Sequence, residues 1–360
     1  MIDDQVFNRK KRDYGSPSVI LGENRGLFDT INKPFPELWK LYKTLKSLDW
    51  DENEVDYSSC NADFKNCDQG TYDGMIKTLA SQWAIDSMAA HSLISIMSPF
   101  ITSSEGTAGW TKITENEVLH AATYSEIVRQ SFDDPEEVLQ DILSIQEAMD
   151  RMEAVASVIS RASKASHEYA LGLIPNDQEL YNTVYMFISA MYILERIQFM
   201  ASFAVTFSIC DTGQFIPFGK AVQKIAQDEL EVHVQWGKAV LTAEHKTERG
   251  RVAREAMAPK IQELICEVVG AELDWSKFIN LVGLTEDLLK DWVLFNAKDV
   301  YTFFDLESPY ILPKKNPLKY MEKWLNMNLI QSAPQEEDLT SYKVGVLKRD
   351  DEGTIFDVGF

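Results

Sequence analysis

Four stretches of this chain space their apolar residues with a helical period, and in each the apolar stripe is broken by an ionisable side chain. Leu79, Trp83, Asp86, Ala90, Leu93 and Met97 share one face of a helix predicted over about 72–98. Ile113, Glu117, His120, Tyr124 and Ile127 recur at steps of four, three, four and three, which puts them on one side of a second helix, with Asn116, Ser125, Glu126 and Arg129 on the other. A third stretch, about 178–208, is nearly apolar all round, the pattern of a central buried helix. Glu195 interrupts the row formed by Val184, Ile188, Met191, Phe199, Ser202 and Phe203. In the fourth, about 218–244, Val222, Ile225, Glu229, His233, Trp236 and Val240 share a side.

The remaining segments frame these four. Residues 1–35 are polar and broken by Gly15, Pro17, Gly22, Gly26 and Pro34, which predicts an extended arm lying on the core. A short amphipathic helix follows from Pro36 to Leu48 and ends at Asp49-Trp50-Asp51. Pro99, Gly106 and Gly109 mark a loop before the Glu117 helix. Asp133-Asp134-Pro135-Glu136-Glu137 is a helix start, with acids at the positive end and proline in the first turn, and that helix is expected to reach about Ser166. Three more helices are expected over about 247–269, 284–300 and 316–328. With no repeat and no strand-rich region, the expected class is all-α. A helical body over 1–332 is followed by a tail, 333–360, which is rich in charge and glycine and without periodicity, and so reads as mobile.

Composition narrows the function. Lys plus Arg is 35 against 56 for Asp plus Glu, a net charge of −21, which disfavours nucleic-acid or anionic-membrane partners. The four cysteines form no CxxC pair and are too sparse for a disulfide framework. Cys60 and Cys67 read as loop residues, Cys210 and Cys266 as small core residues. The start, Met-Ile-Asp-Asp-Gln, lacks the basic-then-apolar pattern of a signal peptide, and no uninterrupted run of about 18 apolar residues occurs. A cytoplasmic protein is the expectation.

Burying an unpaired carboxylate costs several kcal/mol. One Glu–His pair on a buried face can be a simple hydrogen bond. Four helices that each bury an acid, Asp86, Glu117, Glu195 and Glu229, two of them with His120 and His233 on the same face, make a set too large for isolated core contacts. Four carboxylates and two imidazoles are the ligand set of a dimetal site in a helix bundle, and hard oxygen donors with imidazole suit iron or manganese. Two divalent ions would balance the four negative charges.

The order of these residues resembles the small, radical-bearing subunit of class I ribonucleotide reductase, over most of the chain. The family pattern is an Asp, then Glu-x-x-His-x-x-x-Tyr, a Glu, and an Asp-Glu pair followed by His. Here these are Asp86, Glu117-x-x-His120-x-x-x-Tyr124, Glu195, and Asp228-Glu229 with His233. The resemblance implies a ferritin-like bundle binding two iron ions, or manganese, and a tyrosyl radical at Tyr124 inside a pocket of Phe199, Phe203 and Ile225. It makes Trp50 the near-surface tryptophan of radical transfer and Asp228 the acid joining it to a metal-bound histidine. Glu336 and Tyr342 match the tail's acid and relay tyrosine. The implied partners are a second copy of the chain and a large subunit, bound through the tail, that reduces ribonucleotides. A ferritin-like oxidase or ferroxidase that exports no radical is the alternative, and a non-catalytic metal-binding subunit is a third reading. A stable tyrosyl radical separates the first from both.

One spacing departs from the family. Its last pair is usually Glu-x-x-His, whereas here Glu229-Leu-Glu-Val-His233 is one residue longer. An extra residue in a functional helix is often absorbed as a π-turn, so a local widening is expected between Asp228 and His233, with both residues kept on the site and Glu231 facing away.

Overall fold

The computed structural model describes residues 7–326 except 11, 280 and 282. Glu336, Tyr342 and the whole 333–360 tail lie outside the described residues. Within them the chain forms α1 (Pro36–Ser47), α2 (Cys60–Asn66), α3 (Gln69–Met97), α4 (Ser104–Ser131), α5 (Pro135–Leu143), α6 (Gln146–Asp150) and α7 (Glu153–Ala170). The second half comprises α8 (Gln178–Ile193), α9 (Phe199–Cys210), α10 (Ile216–Asp228), α11 (Val234–Glu244), α12 (Glu248–Trp275), α13 (Glu286–Phe304) and α14 (Lys319–Trp324). No strand forms among the described residues; Ile20 and Ile101 make an isolated antiparallel bridge. The all-α expectation therefore holds.

The long helices start where side chains can satisfy their first backbone N–H groups. Asp68 accepts from Thr71, Ser103 from Gly106, Asp177 from Leu180, Thr247 from Gly250 and Thr285 from Leu288, contacts worth about 0.5–2 kcal/mol each. α3 lies along α4 and α9, and α8 is packed by α7, α11 and α12. All of α9 and nearly all of α8 beyond its first turn are buried, as their apolar sequence requires. Residues 18–21 run over the core: Leu21 N–H donates to Phe100 O, Thr102 N–H to Val19 O, and Val19 N–H to the Glu244 carboxylate at 2.6 Å.

Several boundaries differ from the sequence reading. Gly106 and Gly109 are not loop residues but belong to α4. Gly109 is glycine because the Trp236 indole lies against its Cα; a Cβ there would sit 1.8 Å from Trp236 Cη2. Gly109→Ala should therefore destabilise the protein by about 1–3 kcal/mol, as overpacking does, read as a lower urea midpoint at unchanged slope. The helix expected from 134 to 166 is three helices, α5 to α7, and the last break places Arg151 in the core at 1% exposure. Cys60 is not in a loop: it opens α2 and is buried, while Cys266 is only half-buried. The helical stretch Gln178–Cys210 would be long and apolar enough to cross a membrane, but 94% of its most apolar window is buried inside the protein.

Candidate metal centre

Asp86 on α3, Glu117 and His120 on α4, and Glu195, Glu229 and His233 meet between the helices, all at 4% exposure or less. Their donor atoms fall into two groups. Asp86, Glu117, His120 and Glu229 form one, and Glu117, Glu195, Glu229 and His233 the other; within each, the atoms lie within 4.8 Å of one another. Glu117 and Glu229 belong to both, so the arrangement is two adjacent sites that share two carboxylates.

Two of the acids sit on widened helix turns. Glu229–His233 is a π-turn, closed by the Val234 N–H on Glu229 O, so the extra residue is absorbed where the sequence pointed. His233 Nδ1 lies 2.7 Å from Glu229 Oε2 and 3.1 Å from Glu117 Oε1, and Glu231 is exposed. A second π-turn, Leu194–Gln198, carries Glu195 and joins α8 to α9. Nothing in the local spacing pointed to it, because the apolar pattern there surrounds the helix and so has no phase to slip.

The donor set fits metal ions. Among the described residues, both carboxylate oxygens of Asp86, Glu117 and Glu229, one of Glu195, and Nδ1 of both histidines are buried without a well-aligned hydrogen bond, the ring nitrogens facing Glu229 and Glu117 oxygens only as close ion-pair contacts at 2.7–3.1 Å. Such clustered lone pairs need a cation. Burial, and then the neighbouring acids, push the Asp86 and Glu195 carboxyls well above the usual range. Burial alone would lower the His120 imidazole, but Asp228 and Glu229 outweigh it and raise it well above its ordinary value. Glu229 is driven the other way: His233 and His120 overcome its burial and hold its carboxyl below the usual range.

The far sides of the imidazoles are fixed. His120 Nε2 faces Asp228 Oδ2 at 3.1 Å and His233 Nε2 faces Asn116 Oδ1 at 2.9 Å. With the proton on Nε2, each Nδ1 keeps its lone pair for a metal. Asp228 Oδ2 also accepts from Asn116 Nδ2 at 3.1 Å and from the Trp50 indole N–H at 2.8 Å. Trp50 is half-buried and its ring lies 6.1 Å from that of His120. Asn116 corrects the sequence reading, which placed it on the outer side of its helix; it is 2% exposed and joins the two histidines through Asp228.

Tyr124 is fully buried one turn beyond His120, and among the described residues its hydroxyl makes no well-formed hydrogen bond. Burial, followed by the charges of Asp86, Glu229 and Glu117, raises its phenol well above the usual value. Phe199, Phe203 and Ile225 are fully buried, and the Phe199 and Phe203 rings stack at 5.7 Å.

A helix bundle whose core gathers four acids and two histidines into two clusters that share two carboxylates has the donor set of a dimetal-carboxylate protein. A family profile described as "Ribonucleotide reductase, small chain" matches residues 28–317, and the chain belongs to that family. It is 23% identical to the ribonucleoside-diphosphate reductase subunit beta of Haemophilus influenzae over 359 residues, covering 94% of this chain and 95% of the relative. The subunit beta of Enterobacteria phage T4 is 22% identical over 374 residues, covering 96% of each. Among solved structures, a ribonucleotide reductase R2 subunit from Clostridium botulinum superposes with a TM-score of 0.77 at 19% identity, covering 90% of this chain and 99% of the other. A dimanganese(II) NrdF from Streptococcus sanguinis gives 0.66 at 12% identity, covering 84% and 99%. The fold is that of these ferritin-like proteins.

Proposed function

We propose that this chain is the radical-generating small subunit of a ribonucleoside-diphosphate reductase. The observation that carries the reading is the continuous array Trp50–Asp228–His120 reaching a two-site carboxylate cluster beside a buried Tyr124. A ferritin-like oxidase needs the cluster but not the array.

In this reading Asp86, Glu117, His120, Glu195, Glu229 and His233 hold two metal ions, taken to be iron with manganese as the other candidate. Bound there, the ions would supply the dioxygen-dependent, one-electron oxidation of Tyr124. Tyr124 is neutral, so losing an electron together with its hydroxyl proton leaves a neutral phenoxyl, which a dry setting tolerates. Phe199, Phe203 and Ile225 keep water from it. Trp50 gives the next oxidisable side chain toward the surface, and Asp228 can take its indole proton as the electron leaves. Asn116 and Asp228 hold the two imidazoles in the tautomer that presents Nδ1. Tyr342 and Glu336 continue the relay in the tail, which docks on a large subunit carrying the substrate site. A homodimer in the cytoplasm completes the picture.

The test is electron paramagnetic resonance on metal-loaded protein exposed to oxygen. A tyrosyl radical, and nucleotide reduction only when a cysteine-bearing large subunit is added, are the expected results; turnover of an oxidisable substrate by this chain alone, without a radical, would favour the oxidase. Truncation after residue 332 should leave the Tyr124 radical at full yield and remove large-subunit binding in a pull-down. Undiminished affinity would refute the docking role of the tail, whose apolar Phe356, Val358 and Phe360 are its expected anchors.

A further inference from the structure

The Leu194–Gln198 π-turn that carries Glu195 is gripped by a buried ion pair that the metal site does not use. Arg151, at the junction of α6 and α7, sends Nε and one terminal nitrogen to the two Glu272 oxygens, at 2.9 and 2.8 Å. The same terminal nitrogen reaches Ser202 Oγ at 2.9 Å and Gln198 O at 3.3 Å. Gln198 answers with its side chain: Nε2 donates to Arg151 O at 2.5 Å and lies 3.4 Å from Glu272 Oε1. The guanidinium stacks 3.8 Å from the Trp275 ring centroid, and the side chains of Arg151 and Glu272 are 1% and 0% exposed. Thus Gln198, the last residue of the π-turn, is tied through backbone and side chain to two other parts of the chain.

Stability alone gives no reason for such a pair. Taking two charges out of water offsets most of their attraction, and a packed apolar pair does as well or better. What the pair does supply is geometry. A π-turn lacks the regular i to i−4 ladder and tends to relax to α form unless its surroundings over-determine it. Relaxation would turn one flank of the helix against the other by about 100°. Glu195 lies on one flank, and Ser202, Phe199 and Phe203 on the other.

We propose that Arg151 and Glu272 are positioning residues for the metal centre, clamping the π-turn in the form that brings Glu195 into the group with Glu117, Glu229 and His233. The effect is confined to one side of the centre, because Asp86 and His120 sit on α3 and α4, which do not pass through the turn. The inference rests on the dimetal reading of the cluster.

The test uses Mn(II) as the probe, with free Mn(II) counted by electron paramagnetic resonance during titration of the full-length chain. Wild type should take up two ions per chain; uptake of fewer than two would fail the dimetal reading itself. Glu195→Ala marks what loss of its side looks like. The double variant Arg151→Met/Glu272→Leu leaves no unpaired buried charge and should unfold cooperatively. It should bind one ion as wild type does and the other roughly 10–100-fold more weakly, the range for loss of an outer-sphere partner, a one-sided loss of the same pattern as that of Glu195→Ala but smaller. Two ions bound with wild-type affinity, or equal weakening of both, would overturn the proposal. Should the double variant fail to fold, Gln198→Met, which leaves the ion pair in place, reads the same comparison: one-sided weakening supports the clamp and unchanged binding of both ions overturns it.

Discussion

Tyr124→Phe should leave the fold and metal uptake unchanged and abolish both the tyrosyl radical and nucleotide reduction. The substitution removes one oxygen from a fully buried ring. Among the described residues that oxygen makes no well-formed hydrogen bond, so little is lost with it and the volume is nearly kept. The expected stability change is therefore small, within about 1 kcal/mol. The functional change is total, because a phenyl ring has no acidic proton to lose with the electron. Burial and the surrounding carboxylates hold the Tyr124 phenol in its neutral form, so its oxidation has to move a proton as well. Electron paramagnetic resonance and a coupled reduction assay with the large subunit measure the two effects. A variant with normal turnover would show that the radical resides elsewhere.

Glu229→Ala should strip both ions, whereas Asp86→Ala should remove only one. Glu229 stands in both donor groups, and Asp86 only in the one with His120. Glu229 Oε1 lies 3.1 Å from His120 Nδ1 and Oε2 lies 2.7 Å from His233 Nδ1, so its loss removes a donor from each site at once. Elemental analysis should fall from about two ions per chain toward none for Glu229→Ala and toward one for Asp86→Ala. The rise in melting temperature on metal loading, which follows from binding to the folded state alone, should vanish in the first variant and shrink in the second. Two ions retained in Glu229→Ala would show that the carboxylate does not bridge.

Much of the centre was legible in the sequence, because burial of a helix face imposes a period and an acid inside that period stands out. Asp86, Glu117, Glu195 and Glu229 were each found as interruptions of an apolar stripe, with His120 and His233 beside them. The widened turn at Glu229–His233 is legible only through the family resemblance, since an i,i+4 pair can face one site in a regular helix and the residue is extra only against the pattern Glu-x-x-His. A buried acid alone was not diagnostic. Glu244 is 1% exposed, yet its carboxylate serves Ser18 and Val19 on the N-terminal arm and Tyr181 on α8 rather than the metal centre.

The tertiary structure decided how the faces meet. Asn116 sits about 100° around the helix from Glu117, so α4 taken alone turns it outward; α10 and the π-turn that follows it, brought beside α4, place Asp228 and His233 against it. That approach depends on Gly109, whose missing side chain makes room for Trp236. Arg151 and Glu272 are 121 residues apart; Glu272 interrupts an apolar row of α12 formed by Ile261, Ile265, Val268 and Trp275, but the period alone places the end of that helix at about 269, before it, and Arg151 lies at a break between two helices. The Leu194–Gln198 π-turn was hidden in a helix apolar on every side. The hydrophobic period of a helix reports which of its faces is buried, since that depends only on its own residues. Which other face it is buried against depends on side chains more than a hundred positions away, and only the packed chain brings them together.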